Sequence, residues 1–361
     1  MIKLLEIYKG KKVFVTGHTG FKGSWLCLWL KFLGADICGY ALKTDTEPSI
    51  FNILKLKDKI KHIEGNICDF DKLNKELSFF CPDIVFHLAA QPLVPQSYKA
   101  PLETYRTNVL GVVNILEAVR CNHKVKAVVN VTTDKCYKNK EKDYAYKEDD
   151  ELGGYDPYSN SKACSELVTS SYRDSFFNVQ DFRIKHNTLI ATARAGNVIG
   201  GGDYSLDRLV PDFVKAVKDN QCIILRNLNA VRPWQFVLEP LLGYLLLGKE
   251  LLEEKVEHAT AYNFGPREES IITVNEIVQE LVSIYGGSYK IDTNKHPHEA
   301  KLLKLDINKA EKELDWHPVY GVKEAIKQTM SWYKAYYEGI NMLEFSLDQI
   351  LLFQKKISKV L

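Results

Sequence analysis

Thr16-Gly17-His18-Thr19-Gly20-Phe21-Lys22-Gly23 decides how this chain folds. It follows directly on the β-branched and apolar run Lys12-Val13-Phe14-Val15 and runs at once into Ser24-Trp25-Leu26-Cys27-Leu28-Trp29-Leu30, which reads as a helix. Three glycines spaced three apart between a strand and a helix mark a sharp turn. There a pyrophosphate can approach bare backbone at the positively polarised end of the helix. A glycine triplet alone is weak evidence; the strand before it and the helix after it give it weight.

Outward from that turn, short β-branched runs alternate with amphipathic stretches, the pattern of a parallel sheet with helical crossovers. Strands are predicted at 12–16, 36–42, 61–66, 83–88, 126–132 and 187–193, and helices at 21–33, 71–80, 102–122 and 157–177. Six strands so joined imply an α/β fold with a doubly wound, Rossmann-type parallel sheet. After about residue 194 the rhythm changes to glycine-rich turns and shorter strands, with helices predicted at 208–218, 238–252, 274–285 and 322–338. The expected organisation is a nucleotide-binding domain at 1–193 and a smaller mixed α/β substrate lobe at 194–340, interleaved with the first. Residues 341–361 read as a packing or oligomer-contact helix, with a solvated tail as the alternative.

Bulk properties narrow the function. Of 361 residues, 48 are basic and 46 acidic, a formal charge of +2, so no global field would hold the chain on nucleic acid or an anionic membrane. Eight cysteines stand singly without a CxxC pair, which points to a reducing compartment and away from a metal site. No signal-peptide core and no run of ~20 apolar residues is evident, so a soluble cytoplasmic protein is expected.

Ligand groups are sought at the ends of the strands. The third ends in Gly65-Asn66-Ile67-Cys68-Asp69, where Asp69 suits an adenine amino group and Ile67 is a further cofactor-contact candidate. The fourth ends in His87-Leu88-Ala89-Ala90-Gln91, where Leu88, Ala89 and Ala90 let a ribose and adenine pass. The second lacks an acid for the 2′-hydroxyl of NAD, and Lys43 there is either a 2′-phosphate partner or a plain surface lysine, so NAD and NADP both stay open. The fifth ends in Thr132-Thr133-Asp134-Lys135-Cys136-Tyr137, and a helix opens with Asp156-Pro157-Tyr158-Ser159-Asn160-Ser161-Lys162. Tyr158 and Lys162, four apart, share one helix face. An ammonium and a nicotinamide cation beside the phenol would draw its pKa below ~10, making Tyr158 a base, with Thr133 orienting a substrate hydroxyl. Arg194, Asn197, Arg208, Arg226 and Arg232 flank glycine turns or strand ends, where guanidinium forks match phosphate oxygens.

These segments, with Arg232-Pro233-Trp234-Gln235, resemble the extended short-chain dehydrogenases/reductases and, within them, the CDP-glucose 4,6-dehydratases, over residues 10–340. The resemblance implies that Thr133, Tyr158 and Lys162 oxidise carbon 4 of a hexose. Asp134 and Lys135 would then assist loss of water across carbons 5 and 6, and hydride would return to carbon 6. Asp134 as an acid would need a pKa above ~3.9 and Lys135 as a base one below ~10.4; Lys135 could instead stay charged and stabilise an enolate. Gly17, His18, Thr19, Gly20, Phe21, Lys22 and Gly23 would hold the cofactor, and Asn197 and Arg232 would lie near the substrate diphosphate, with Gln91 and Asn108 also on the substrate side. A homodimer through the helices at 102–122 and 157–177 is implied as well. His18 and His87 read as structural, and His296-Pro297-His298-Glu299 as a loop closing over substrate. One departure stands out: Pro95-Gln96 replaces the basic residues usual after Gln91-Pro92-Leu93-Val94, which leaves the hexose and base open. The alternatives are a nucleotide-sugar 4-epimerase, a dehydratase of another nucleotide hexose, and a non-catalytic nucleotide sensor.

Overall fold

The computed structural model describes residues 3–225, 227–292 and 302–360. Its large sheet contains β1 (Lys12–Thr16), β2 (Asp36–Ala41), β3 (Lys61–Glu64), β4 (Ile84–His87), β5 (Ala127–Val131), β6 (Leu189–Ala195) and β7 (Ala261–Phe264), in the spatial order β7-β6-β5-β4-β1-β2-β3. Every neighbouring pair is parallel. All residues of β4, β5, β6 and β7 are buried, as helices covering both faces require, so their sequences are mostly apolar without alternation, and the polar residues among them, His87, Asn130, Thr192, Arg194 and Asn263, are buried as well.

On one face pack the helices Phe21–Phe32 and Leu238–Leu252, through Trp25, Trp29, Leu241 and Leu245. The second is apolar on all sides and almost wholly buried, which is why its sequence shows no polar stripe. On the other face, Leu73 and Leu77 of Phe70–Phe80 meet Val112, Ile115 and Val119 of Gly111–Arg120. Strand order reverses at β1, which lies between β2 and β4, so a crevice opens beyond Thr16 and its register partner His87.

The six expected strands are present with ends shifted by no more than two residues, but the sheet has a seventh. β7 comes from the C-terminal half and pairs with β6. The chain leaves the large sheet after Ala195 and forms a three-stranded sheet of Asn197–Ile199, Val231–Phe236 and Ile271–Thr273. Between the second and third of these strands it re-enters the large sheet as β7. The single helix expected at 102–122 is three pieces: Pro101–Tyr105, a wide π turn at Arg106–Leu110, and Gly111–Arg120. The C-terminal stretch is a helix, Met342–Val360, whose Ile350, Phe353 and Ile357 are buried, with Phe353 against Trp29 and Tyr320. Its inward face is a packing face, not a solvated tail. Among the described residues no helix is long and apolar enough to cross a membrane.

Candidate active site

The glycine turn is held by Thr16, whose hydroxyl accepts from the Leu88 and Ala89 amides at 3.1 and 3.2 Å and stands 2.7 Å from His87 Nδ1. Gly17 has φ +72°, and a Cβ there would lie 2.7 Å from the Ala89 nitrogen; a Cβ on Gly23 would overlap the Gly17 carbonyl. Both positions therefore exclude any side chain, and the bare backbone they leave borders a cavity of about 870 Å³. Gly17, Thr19, Gly20, Phe21, Lys22 and Gly23 line it with Ile67, Leu88, Ala89, Ala90, Tyr158 and Lys162. This chamber, with helix-end amides at one wall and small side chains opposite, fits a dinucleotide such as NAD.

Two expected cofactor contacts take other positions. His18 lies under the turn, not on the cavity wall: its Nε2 is 2.7 Å from His62 Nδ1, and burial, helped by His62, lowers its pKa to about 3, so the ring is neutral. Asp69 caps the helix Phe70–Phe80, accepting from the Lys72 amide, and does not line the cavity; Asn66, Ile67 and Cys68 do. Asn66 is the polar strand-end group that the sequence reading passed over, although it precedes Ile67 directly. Lys43 borders the cavity as an exposed side chain 3.8 Å from Glu64.

A second cavity, about 390 Å³, adjoins the first, sharing Phe21, Lys22, Pro92, Thr132, Tyr158, Asp203 and Arg208 as lining. Asp156 starts the helix Pro157–Phe176, its carboxylate accepting from the Ser159 amide and hydroxyl at 2.9 and 2.6 Å, with Pro157 in the first turn. That cap sets the register that brings Tyr158 to the cavity and Lys162 beneath it. The Lys162 ammonium donates to the Val131 carbonyl at 3.1 Å; burial lowers its pKa to about 8 against the attraction of Glu166.

Burial pushes the Tyr158 phenol up to about 12, with Asp134 adding to the rise and the Thr133 hydrogen bond and Arg208 opposing it. The protein's own groups thus do not produce the lowered phenol expected from the sequence. Thr133 donates to Asp134 Oδ1 at 2.9 Å, and Asp134 is only 1% exposed. Lys22, on the wall between the cavities, is 3.3 Å from the Tyr244 hydroxyl. Burial first, then the charges of Lys162 and Arg208, lowers its pKa to about 7.

Of the expected substrate residues, Asn197, Arg208 and Arg232 line the smaller cavity, where Arg208 is paired with Asp203 at 2.8 Å. Arg194, Asn108 and Gln91 line neither cavity. Arg194 is buried in an ion pair with Glu166 at 2.8 Å, so its guanidinium is spent inside the protein. Asn108, in the π turn, grips the Gln91 backbone at both N and O, and the Gln91 side chain closes a local ring with Thr104 and the Leu93 amide. These two shape the loop that carries Pro92, Leu93, Val94 and Pro95 to the cavity wall. Arg226 and the His296-Pro297-His298-Glu299 stretch lie outside the described residues.

Residues 14–329 match the family described as GDP-mannose 4,6 dehydratase. The chain is 50% identical over 347 residues, 96% of each chain, to a CDP-glucose 4,6-dehydratase of Salmonella typhimurium. Among solved structures it is similar to a dTDP-glucose 4,6-dehydratase of Streptomyces venezuelae with NAD bound (TM-score 0.77, 24% identity, 92% of this chain and 99% of that one). It is also similar to a UDP-glucose 4-epimerase of Thermotoga maritima (TM-score 0.76, 21% identity, 90% of this chain and 99% of that one). Likeness at these identities shows the shared fold.

Proposed function

The chain belongs to the GDP-mannose 4,6 dehydratase family and is an NAD-dependent nucleotide-sugar 4,6-dehydratase, and from that premise we propose that it converts CDP-glucose to CDP-4-dehydro-6-deoxyglucose. The observation that carries the reading is Asp134 beside Tyr158: a carboxylate buried at the wall of the sugar-sized cavity, in contact with Lys135, with one oxygen unpartnered among the described residues. A 4-epimerase needs the tyrosine but has no use for an acid and base at carbons 5 and 6.

Gly17, Thr19, Gly20 and Gly23, with Ile67, Leu88, Ala89 and Ala90, would hold NAD, which would supply a reversible hydride acceptor and, when oxidised, a positive charge. Tyr158 takes the proton of the carbon-4 hydroxyl, Thr133 orients that hydroxyl, and Lys162 fixes the strand end on which Thr133 follows. The ketone so formed acidifies carbon 5. The elimination starts with Lys135 as the neutral amine and Asp134 as the carboxylic acid: Lys135 takes the carbon-5 proton and Asp134 gives its own to the hydroxyl leaving carbon 6, so that the pair gains one proton and loses one. Asn197, Arg208 and Arg232 are the candidates for holding the diphosphate, their donors suited to phosphate oxygens.

The same premise supports residues 1–193 as the cofactor domain, 194–340 as the substrate lobe and 341–361 as a packing helix. It also supports a homodimer: Leu102 and Leu110 on one helical stretch and Leu167 and Phe176 on the neighbouring helix are large apolar side chains left exposed. The eight unpaired cysteines support a cytoplasmic setting. The test of the reaction is incubation with CDP-, dTDP-, UDP- and GDP-glucose, followed by mass. CDP-glucose is expected to give a product lighter by one water with no net NADH. A product of unchanged mass inverted at carbon 4 would establish an epimerase instead.

A further inference from the structure

Glu166 lies one helical turn beyond Lys162 on Pro157–Phe176, buried and outside both cavities. Its carboxylate is saturated. Oε1 accepts from the Thr132 hydroxyl, and Oε2 accepts from the Thr192 hydroxyl and from the Arg194 guanidinium, each at 2.8 Å. Against the upward push of burial, Arg194 and these hydrogen bonds hold the Glu166 carboxyl below its ordinary value. Lys162 grips the Val131 carbonyl, so two side chains one turn apart hold two consecutive residues, Val131 and Thr132, immediately before Thr133.

Arg194 reaches the far end of the same segment. Its Nη1 donates to the Tyr137 hydroxyl at 2.7 Å and to the Glu148 carbonyl at 2.9 Å, with the guanidinium 5.0 Å from the Tyr137 ring centre. Tyr137 in turn donates to Asn263 Oδ1 at 2.7 Å, and Asn263 donates to the Tyr146 and Asp306 carbonyls. Between these two anchors lies only a single 3₁₀ turn, Asp134–Cys136, with little stiffness of its own.

We propose that Glu166 and Arg194 are positioning residues that clamp both ends of the 132–137 segment, and so hold Thr133, Asp134 and Lys135 in register with Tyr158 and Lys162. A buried ion pair contributes little net stability compared with well-packed apolar side chains, and its best-attested use is to specify geometry. Here the pair joins a helix, two strands and the segment that carries the acid and base. The role rests on the dehydratase reading, since it is that reaction that uses Asp134 and Lys135.

The test removes the two links to the segment and leaves the ion pair whole, in Thr132→Val with Tyr137→Phe and in each single variant, so that a poorly folding double variant leaves two milder ones to read. Expected with CDP-glucose is a fall in kcat of roughly tenfold or more with KM within about twofold, as misplacement of reacting groups gives. Thr132→Ser, which keeps the hydroxyl, is expected to keep the activity. Amide exchange across 132–137 is expected to accelerate by about tenfold with the rest of the sheet unchanged. A kcat within about twofold of the parent and unchanged exchange would overturn the proposal. Exchange needs no substrate: failure of the parent to turn over CDP-glucose would sink the substrate reading, and the exchange result would still decide the clamp.

Discussion

Lys135 Nζ stands 3.3 Å from Asp134 Oδ1, while Asp134 Oδ2 is buried without a partner among the described residues. The carboxyl group is therefore tethered by one oxygen and free at the other, and a Cβ at Gly196 would lie 3.1 Å from that free oxygen. Asp134→Asn keeps the shape and the Thr133 hydrogen bond but cannot hand on a proton. Elimination is expected to slow by about 10²- to 10⁴-fold, the usual worth of a positioned acid, while oxidation of carbon 4, seen as reduction of bound NAD, persists. Absorbance of the reduced nicotinamide read beside product formation checks this; an unimpaired variant would remove Asp134 from the mechanism.

The alkaline limb of the reaction is expected to belong to Lys162. Burial lowers its pKa to about 8, and the ammonium is the form that grips Val131 and sits near the phenol. Because the charged form is the active one, kcat/KM should fall as pH rises through about 8. Profiles of kcat/KM report groups of the free enzyme, so that quantity is the one to plot. A profile flat to about pH 10, the ordinary range of lysine, would assign the limb elsewhere.

Stability has its own titration, at Glu239. This fully buried carboxyl accepts from the Val319 and Tyr320 amides at 3.1 and 2.7 Å, and burial raises its pKa to about 8 against those amides. Between the ordinary carboxylate range and about 8, the folded protein holds a proton that the unfolded chain has lost. The contribution is thus fully present at low pH and is lost as pH rises through that window. It is of order a few kcal/mol, since each pKa unit is worth about 1.4. Melting temperatures of the parent and of Glu239→Gln, compared from roughly pH 5 to 8, should converge or cross in the variant's favour as pH rises. A constant difference would show that Glu239 does not titrate there.

Leu110→Glu combined with Leu167→Glu is expected to turn a dimer into monomers, because carboxylates on paired apolar faces must be desolvated to associate. Sedimentation at micromolar concentration reads the outcome. A parent that already sediments as a monomer would withdraw the homodimer, and a variant that stays dimeric would move the contact to another face.

What the sequence makes legible here follows from how local each signal is. The glycine turn, the Asp156 cap and the spacing of Tyr158 and Lys162 are written within a few consecutive residues, and the structure brings all of them to one crevice. Charge type, in contrast, does not name its partner. Arg194 and Arg208 look alike in sequence, yet one is buried against Glu166 and the other lines both cavities. Asp69 reads as an adenine contact because a carboxylate suits an amino group, but an acid before a helix is also a cap, and the cap prevails. β7 was missed because four residues, Ala261–Phe264, make too short an apolar run to stand out until β6 is there to pair with them.

β7 also bears on how the protein is made. The edge of the nucleotide-binding sheet is completed by residues 261–264, so during synthesis the whole first half leaves the ribosome with β6, seven consecutive buried residues, unpaired along one side. Such an apolar edge is a template for pairing with another nascent chain. A fragment ending at residue 195 is accordingly expected in the insoluble fraction and one that runs on through β7 and the whole helix Met342–Val360 in the soluble fraction, so the cofactor half depends for its packing on the half that follows it.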